Sequence, residues 1–116
     1  MLIYKIFRPA EWESLRKDGT TQGAPIDLSD GFIHFSTAEQ VRETVVLHFK
    51  GAGDLILAAV DTDPLGQDLK WEASRGGALF PHLFRELSLD EVLWTAELTE
   101  TAEGHALPAN LTETPA

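Results

Sequence analysis

Two histidines in this 116-residue chain stand where strand-like residues surround them. His34 interrupts the apolar run 32–35, and His82 sits between aromatics in Phe80-Pro81-His82-Leu83-Phe84-Arg85. Each is either a half-buried histidine bonded to backbone or one wall of a pocket, where an imidazole can take or give a proton near neutral pH. Strand alternation puts Phe32, His34 and Ser36 on one side and Ile33 and Phe35 on the other, so His34 and Ser36 can face the same space. It likewise sets Phe80, His82 and Phe84 against Leu83 and Arg85. Ser36-Thr37-Ala38-Glu39 reads as a capping box opening a helix, with Ser36 as N-cap. The free N–H groups and positive dipole end of such a terminus suit an anion such as phosphate, with Ser36 and Thr37 placed to hold it. Glu72 follows Trp71 at the end of a short strand, beside the loop Ser74-Arg75-Gly76-Gly77. It is either a solvated edge carboxylate or a carboxylate of the same pocket. His34, His82 and Glu72 form a conceivable metal set, but no local ligand spacing supports it.

These residues depend on elements that must bring them together. Residues 2–7 are β-branched and aromatic and predict a first strand. Pro9 suits the first turn of a helix over 9–17, with early Glu11 and Glu13, late Arg16 and Lys17, and Gly19 as C-cap. Trp12 and Leu15 share its buried face. Residues 20–31 read as a loop and 32–35 as a second strand. On the second helix Ala38, Val41, Val45 and Phe49 recur at helical spacing. The unbroken apolar run 55–60 predicts a central strand buried on both faces. Strands follow at 69–72 and 80–84, and Pro81 predicts a sheet edge or irregular segment there. A turn or single helical turn at 88–90 leads into a last strand. Residues 100–116, rich in Thr, Ala, Glu and Pro, read as a peripheral or frayed tail. Helices early and strands late predict an α+β class: one domain over 1–99, with two main helices on a mostly antiparallel core.

Composition narrows the function. A formal net charge of −10 argues against nucleic acid and anionic membrane as partners. The absence of cysteine excludes disulfides, thiolate metal sites and cysteine nucleophiles. No apolar stretch approaches a transmembrane length, and the first residues read as a strand, not a signal, so the expected location is the cytoplasm. No phosphate-binding P-loop, dinucleotide fingerprint, zincin or nucleophile-elbow motif is present.

Ile3-Tyr4-Lys5-Ile6, Asp30-Gly31-Phe32-Ile33-His34-Phe35-Ser36, Trp71-Glu72 and Phe80-Pro81-His82-Leu83-Phe84 together resemble the DUF952 family of small bacterial proteins, in order over residues 2–98. The resemblance implies the ADP-ribosylation fold, a split β core with an NAD-binding cleft between two small sheets. It implies cleavage of the nicotinamide–ribose bond and transfer of ADP-ribose to an acceptor. On that reading Glu72 stabilises the oxocarbenium-like ribose, and His34 bonds the ribose or the phosphate bridge. Ser36 and Thr37 hold phosphate, and Trp71, Phe80, His82 and Arg85 line the pocket. NAD would be the substrate, with no metal. Many members read I-Y-H-I where this chain has Lys5, and Tyr often stands where it has Phe84. Those departures favour an alternative, a non-catalytic small-ligand-binding module on the same cleft. A protein-interaction domain drawing on the acidic surface is the third reading. Oligomeric state is unreadable.

Overall fold

The apolar run after residue 54 becomes the spine of the molecule. A computed structural model describes residues 1–74, 76–109 and 111–114. In chain order the elements are β1 (Leu2–Phe7), α1 (Pro9–Asp18), β2 (Thr20–Thr21), α2 (Pro25–Asp30), β3 (Ile33–His34), α3 (Val41–His48), β4 (Leu55–Asp61), β5 (Leu69–Ser74), β6 (Ala78–Leu83), β7 (Leu87–Ser88), β8 (Val92–Leu98), β9 (Glu100–Thr101) and β10 (Gly104–His105). 3-10 turns cover Asp63–Asp68, broken by a kink at Gly66, and Leu89–Glu91. Two three-stranded antiparallel sheets, β1-β4-β8 and β3-β6-β5, carry the fold. Helices packed around antiparallel sheets make it α+β, as the element pattern predicts.

Alternation along β1 and β4 builds a core on each face of the first sheet. Ile3, Phe7, Ala58 and Val60 pack with Leu15, Ile33, Phe35 and Leu83 on one side. Leu2, Tyr4, Ile6, Leu55, Leu57 and Ala59 pack with Val41 and Val45 of α3 on the other. The second sheet joins the first through one rung. Ser36 and Tyr4 exchange two backbone hydrogen bonds, of 2.8 and 2.9 Å, immediately after β3 has paired with β6. Residues 33–36 thus step from one sheet to the other.

The structure corrects four expectations. The segment 20–31 is not a loop: it holds β2, which pairs with β7, and the helix α2. Pro25 opens α2 and Gly31 closes it in the left-handed region, at φ 86°. Its buried residue is Asp27, while Ile26 and Leu28 face solvent, so no apolar stripe marks it. Ser36 is not an N-cap. The rung with Tyr4 holds its backbone extended, its hydroxyl bonds Thr44 at 2.9 Å, and α3 begins only at Val41. Pro81 lies on β6, the central strand of its sheet. Its carbonyl accepts from Phe35 N–H at 3.0 Å, so the N–H it lacks would point to that same side, where β3 has already ended. Residues 100–109 and 111–114 do not fray: β9 and β10 form a hairpin, and Leu107 and Leu111 pack against the second core. Tyr4 OH donates to Thr112 O at 2.7 Å, and Leu2 N–H to Glu113 O at 2.7 Å.

Candidate functional site

Lys5 is an inward position of β1, and a buried cation there demands a partner. Asp27 of α2 supplies it. Its carboxylate, 0% exposed, accepts from Lys5 Nζ at 2.7 Å and from Ala24 N–H at 2.8 Å through Oδ2. Through Oδ1 it meets His34 Nδ1 at 2.6 Å and accepts from His34 N–H at 3.2 Å. Burial opposes ionisation of Asp27 most strongly. The His34 hydrogen bond, the Lys5 charge and hydrogen bond, and Ala24 N–H together outweigh it, so the carboxyl titrates below its ordinary range. An ionised carboxylate only accepts, which assigns a proton to His34 Nδ1, and by the same rule a carboxylate at Nε2 needs a proton there. Asp30 Oδ2 lies 3.0 Å from that Nε2. The carboxylate of Asp27 also explains Gly23, at φ 102°: a Cβ there would collide with Asp27 Oδ2.

A second imidazole–carboxylate pair stands directly across the strand. His34 and His82 are register partners on β3 and β6, with ring centroids 5.3 Å apart. His82, with only 7% of its side chain exposed, meets Glu72 Oε1 through Nδ1 at 2.8 Å. Phe32 stacks on His82 at 4.1 Å and lies 4.6 Å from His34 and 5.1 Å from Phe84. Pairing of Lys70 with His82 and of Glu72 with Phe80 puts all of these on the His34 face of the sheet. A cleft of about 760 Å³ opens beside them, with Tyr4, Lys5, His34, Ser36, Phe49 and Phe80 in its wall. A smaller cavity of about 350 Å³ lies against Phe32, Phe84 and Arg85.

The structure therefore brings His34, Glu72, Phe80 and His82 to one sheet face, with Ser36 in the same cleft wall as His34 and Phe80. Three other expected site residues stand apart. Trp71 pairs with Pro81 on the opposite face, because adjacent strand positions alternate. Arg85 is engaged by Glu91 and by Asp68, and lines the smaller cavity. The Glu91 hydrogen bond leads the interactions that raise its pKa above the ordinary arginine value. Thr37 gives its N–H to Gln40 Oε1 at 3.0 Å, so the phosphate cradle expected at Ser36 and Thr37 is not built. Arg75 lies outside the described residues. Sequence reasoning missed Asp27, Asp30 and the pairing role of Lys5. Pro25 followed two residues later by an acid was the available signal, since it is a helix start with an N3 acceptor for the Ala24 N–H.

Among the described residues no helix is long and apolar enough to cross a membrane, and no group of three or more His, Cys, Asp or Glu could hold a metal ion. Comparison with known proteins places these features in a family. The crystal structure of protein CC0527 from Caulobacter crescentus superposes with a TM-score of 0.86 at 51% identity, over 90% of this chain and 92% of that one. The solution NMR structure of CC0527 gives a TM-score of 0.80 at 52% identity, over 90% of each chain. No curated protein matches the chain. The family profile described as protein of unknown function (DUF952) matches residues 6–95, and the chain belongs to that family.

Proposed function

We propose that the chain binds a nucleotide, with NAD as the first candidate, in the cleft beside His34, and that His34 exchanges a proton with it there. The observation that carries this reading is the fixed Asp27–His34 pair at 2.6 Å, with Lys5 locking Asp27 from behind. A buried carboxylate that holds Nδ1 orients the ring and stabilises the imidazolium that can give up and regain a proton at Nε2. Three further features support a nucleotide. The cleft volume falls within the roughly 300–1,000 Å³ common for small-molecule sites. Phe49 and Phe80 offer rings to a base. The Arg8 guanidinium, 4.8 Å over the Phe49 ring, offers charge to a phosphate.

Transfer of ADP-ribose is the catalytic form of the reading. Two small sheets with a cleft beside their junction suit an ADP-ribosylation-like arrangement. Glu72, on the His34 face and 44% exposed, is the carboxylate that would stabilise a ribosyl cation. A cytoplasmic setting, where NAD is abundant, goes with it. A non-catalytic binding module is favoured by a different observation: Glu72 is already engaged by His82, and Lys5 by Asp27.

Ligand-observed NMR with NAD, ADP-ribose and AMP tests the binding. Millimolar-range binding that weakens about tenfold or more in His34→Ala is the expected result. No response to any of the three overturns the reading. Where NAD binds, an assay for free nicotinamide separates the forms. Turnover lost in Glu72→Gln supports transfer, and binding without turnover supports the module.

A further inference from the structure

Asp30 is the residue at this site that the nucleotide reading leaves unused. His34 meets a carboxylate at each ring nitrogen, and the two differ in kind. Asp27 is fully buried and tied by Lys5, Ala24 N–H and His34. Asp30 is the last residue of α2, its side chain is 40% exposed, and His34 is its one ion-pair partner among the described residues. One carboxylate belongs to the framework; the other rests on the nitrogen that a ligand must reach. The remaining charged or basic groups of the cleft are Lys5, neutralised by Asp27, Arg8, which is half-exposed and only loosely paired with Glu11 at 3.9 Å, and the exposed His48 of α3. An anionic ligand approaching His34 therefore meets Asp30 before it meets an unpaired cation.

We infer that His34 Nε2 is the anchor for a phosphate oxygen of the ligand, and that the Asp30 carboxylate holds this position until phosphate displaces it. Exchange of one oxyanion for another keeps an acceptor of negative charge on the imidazole N–H, and rotation of one short exposed side chain is enough to allow it. Asp30 then sets a threshold on affinity. It also discriminates against ligands that lack a phosphate, since these cannot replace its contact with His34.

The inference rests on the cleft being a ligand site, but not on the ligand being a nucleotide, and the probes separate the two. Inorganic phosphate, AMP and adenosine are titrated into the wild-type chain and Asp30→Asn, with the His34 side-chain nitrogens followed by NMR. Asp30→Asn is expected to bind phosphate and AMP about tenfold more tightly, with adenosine unchanged. Adding His34→Gln to Asp30→Asn should abolish the gain, whereas mere loss of a surface negative charge would leave it in place. Equal or weaker phosphate binding in Asp30→Asn, no phosphate response in either protein, or a gain that survives His34→Gln each overturns the inference. AMP binding to the wild type without a gain in Asp30→Asn overturns it and leaves the nucleotide reading standing. A His34-dependent gain for phosphate, with no binding of AMP or NAD, supports it and removes that reading. Asp30→Ser repeats the test should the asparagine variant melt abnormally.

Discussion

Asp27 takes four hydrogen bonds on two oxygens, from Lys5, Ala24 and His34 twice, so its loss leaves several groups stranded at once. Asp27→Asn strands the Lys5 ammonium inside the protein, and denaturant unfolding should show a loss of about 3–5 kcal/mol. Asp27→Asn combined with Lys5→Met should lose less than the single change, because no uncompensated charge remains. The pH dependence has a definite sign. The folded-state pKa of Asp27 lies below its unfolded value, so its stabilisation is complete above about pH 4 and fades as pH falls through the lower folded value. Melts from pH 5 downward should show the gap between wild type and Asp27→Asn closing over that acid range; a constant gap would contradict the ion pair. At this scale the sequence was partly readable. Alternation alone set His34 and His82 each on a definite strand face, because a strand's period is local. Asp27 was hidden because its partners, Lys5 and His34, lie 22 and 7 residues away on other elements.

Elements were legible where their signals are local and apolar. Both α1, with Pro9 and Gly19 at its ends, and the buried β4 follow their sequence patterns. By contrast, α2 buries a carboxylate instead of a stripe, and α3 starts late because Ser36 is still engaged as a strand. Gln40 bridges that delayed start. Its Oε1 accepts from Thr37 N–H, and its Nε2 donates to Leu79 O at 2.8 Å, tying the entry to α3 to β6 beside Phe80. Gln40→Ala should therefore cost about 1–2 kcal/mol and speed amide exchange at Thr37. Had Ser36 been the cap, Gln40→Ala would leave Thr37 exchange unchanged, so that readout decides between the two arrangements.

At the scale of the whole molecule, β1 and β4 are buried on both faces of the first sheet, and the second core is completed by residues far along the chain. Leu107 and Leu111 cover it, and Thr112 O takes the Tyr4 hydroxyl, 108 residues away. No local pattern could mark that segment as structural, since its apolar residues are sparse and its partner is on β1. A chain ending after residue 106 should lose about 2–4 kcal/mol in thermal or denaturant unfolding, with the second core loosened and the His34 cleft less affected. Retained stability in that truncation would show the segment to be dispensable.

The bond between Leu2 N–H and Glu113 O, 2.7 Å long, also sets a clock. In a protein made from its N-terminus, β1 emerges well before residue 113, for which this bond must wait. Every shorter nascent chain leaves the N–H of Leu2 without that acceptor, and chains halted before residue 107 leave the second core uncovered. Ribosome-bound intermediates arrested before that point should be cut readily by protease, and chains extended past residue 113 and released should resist it.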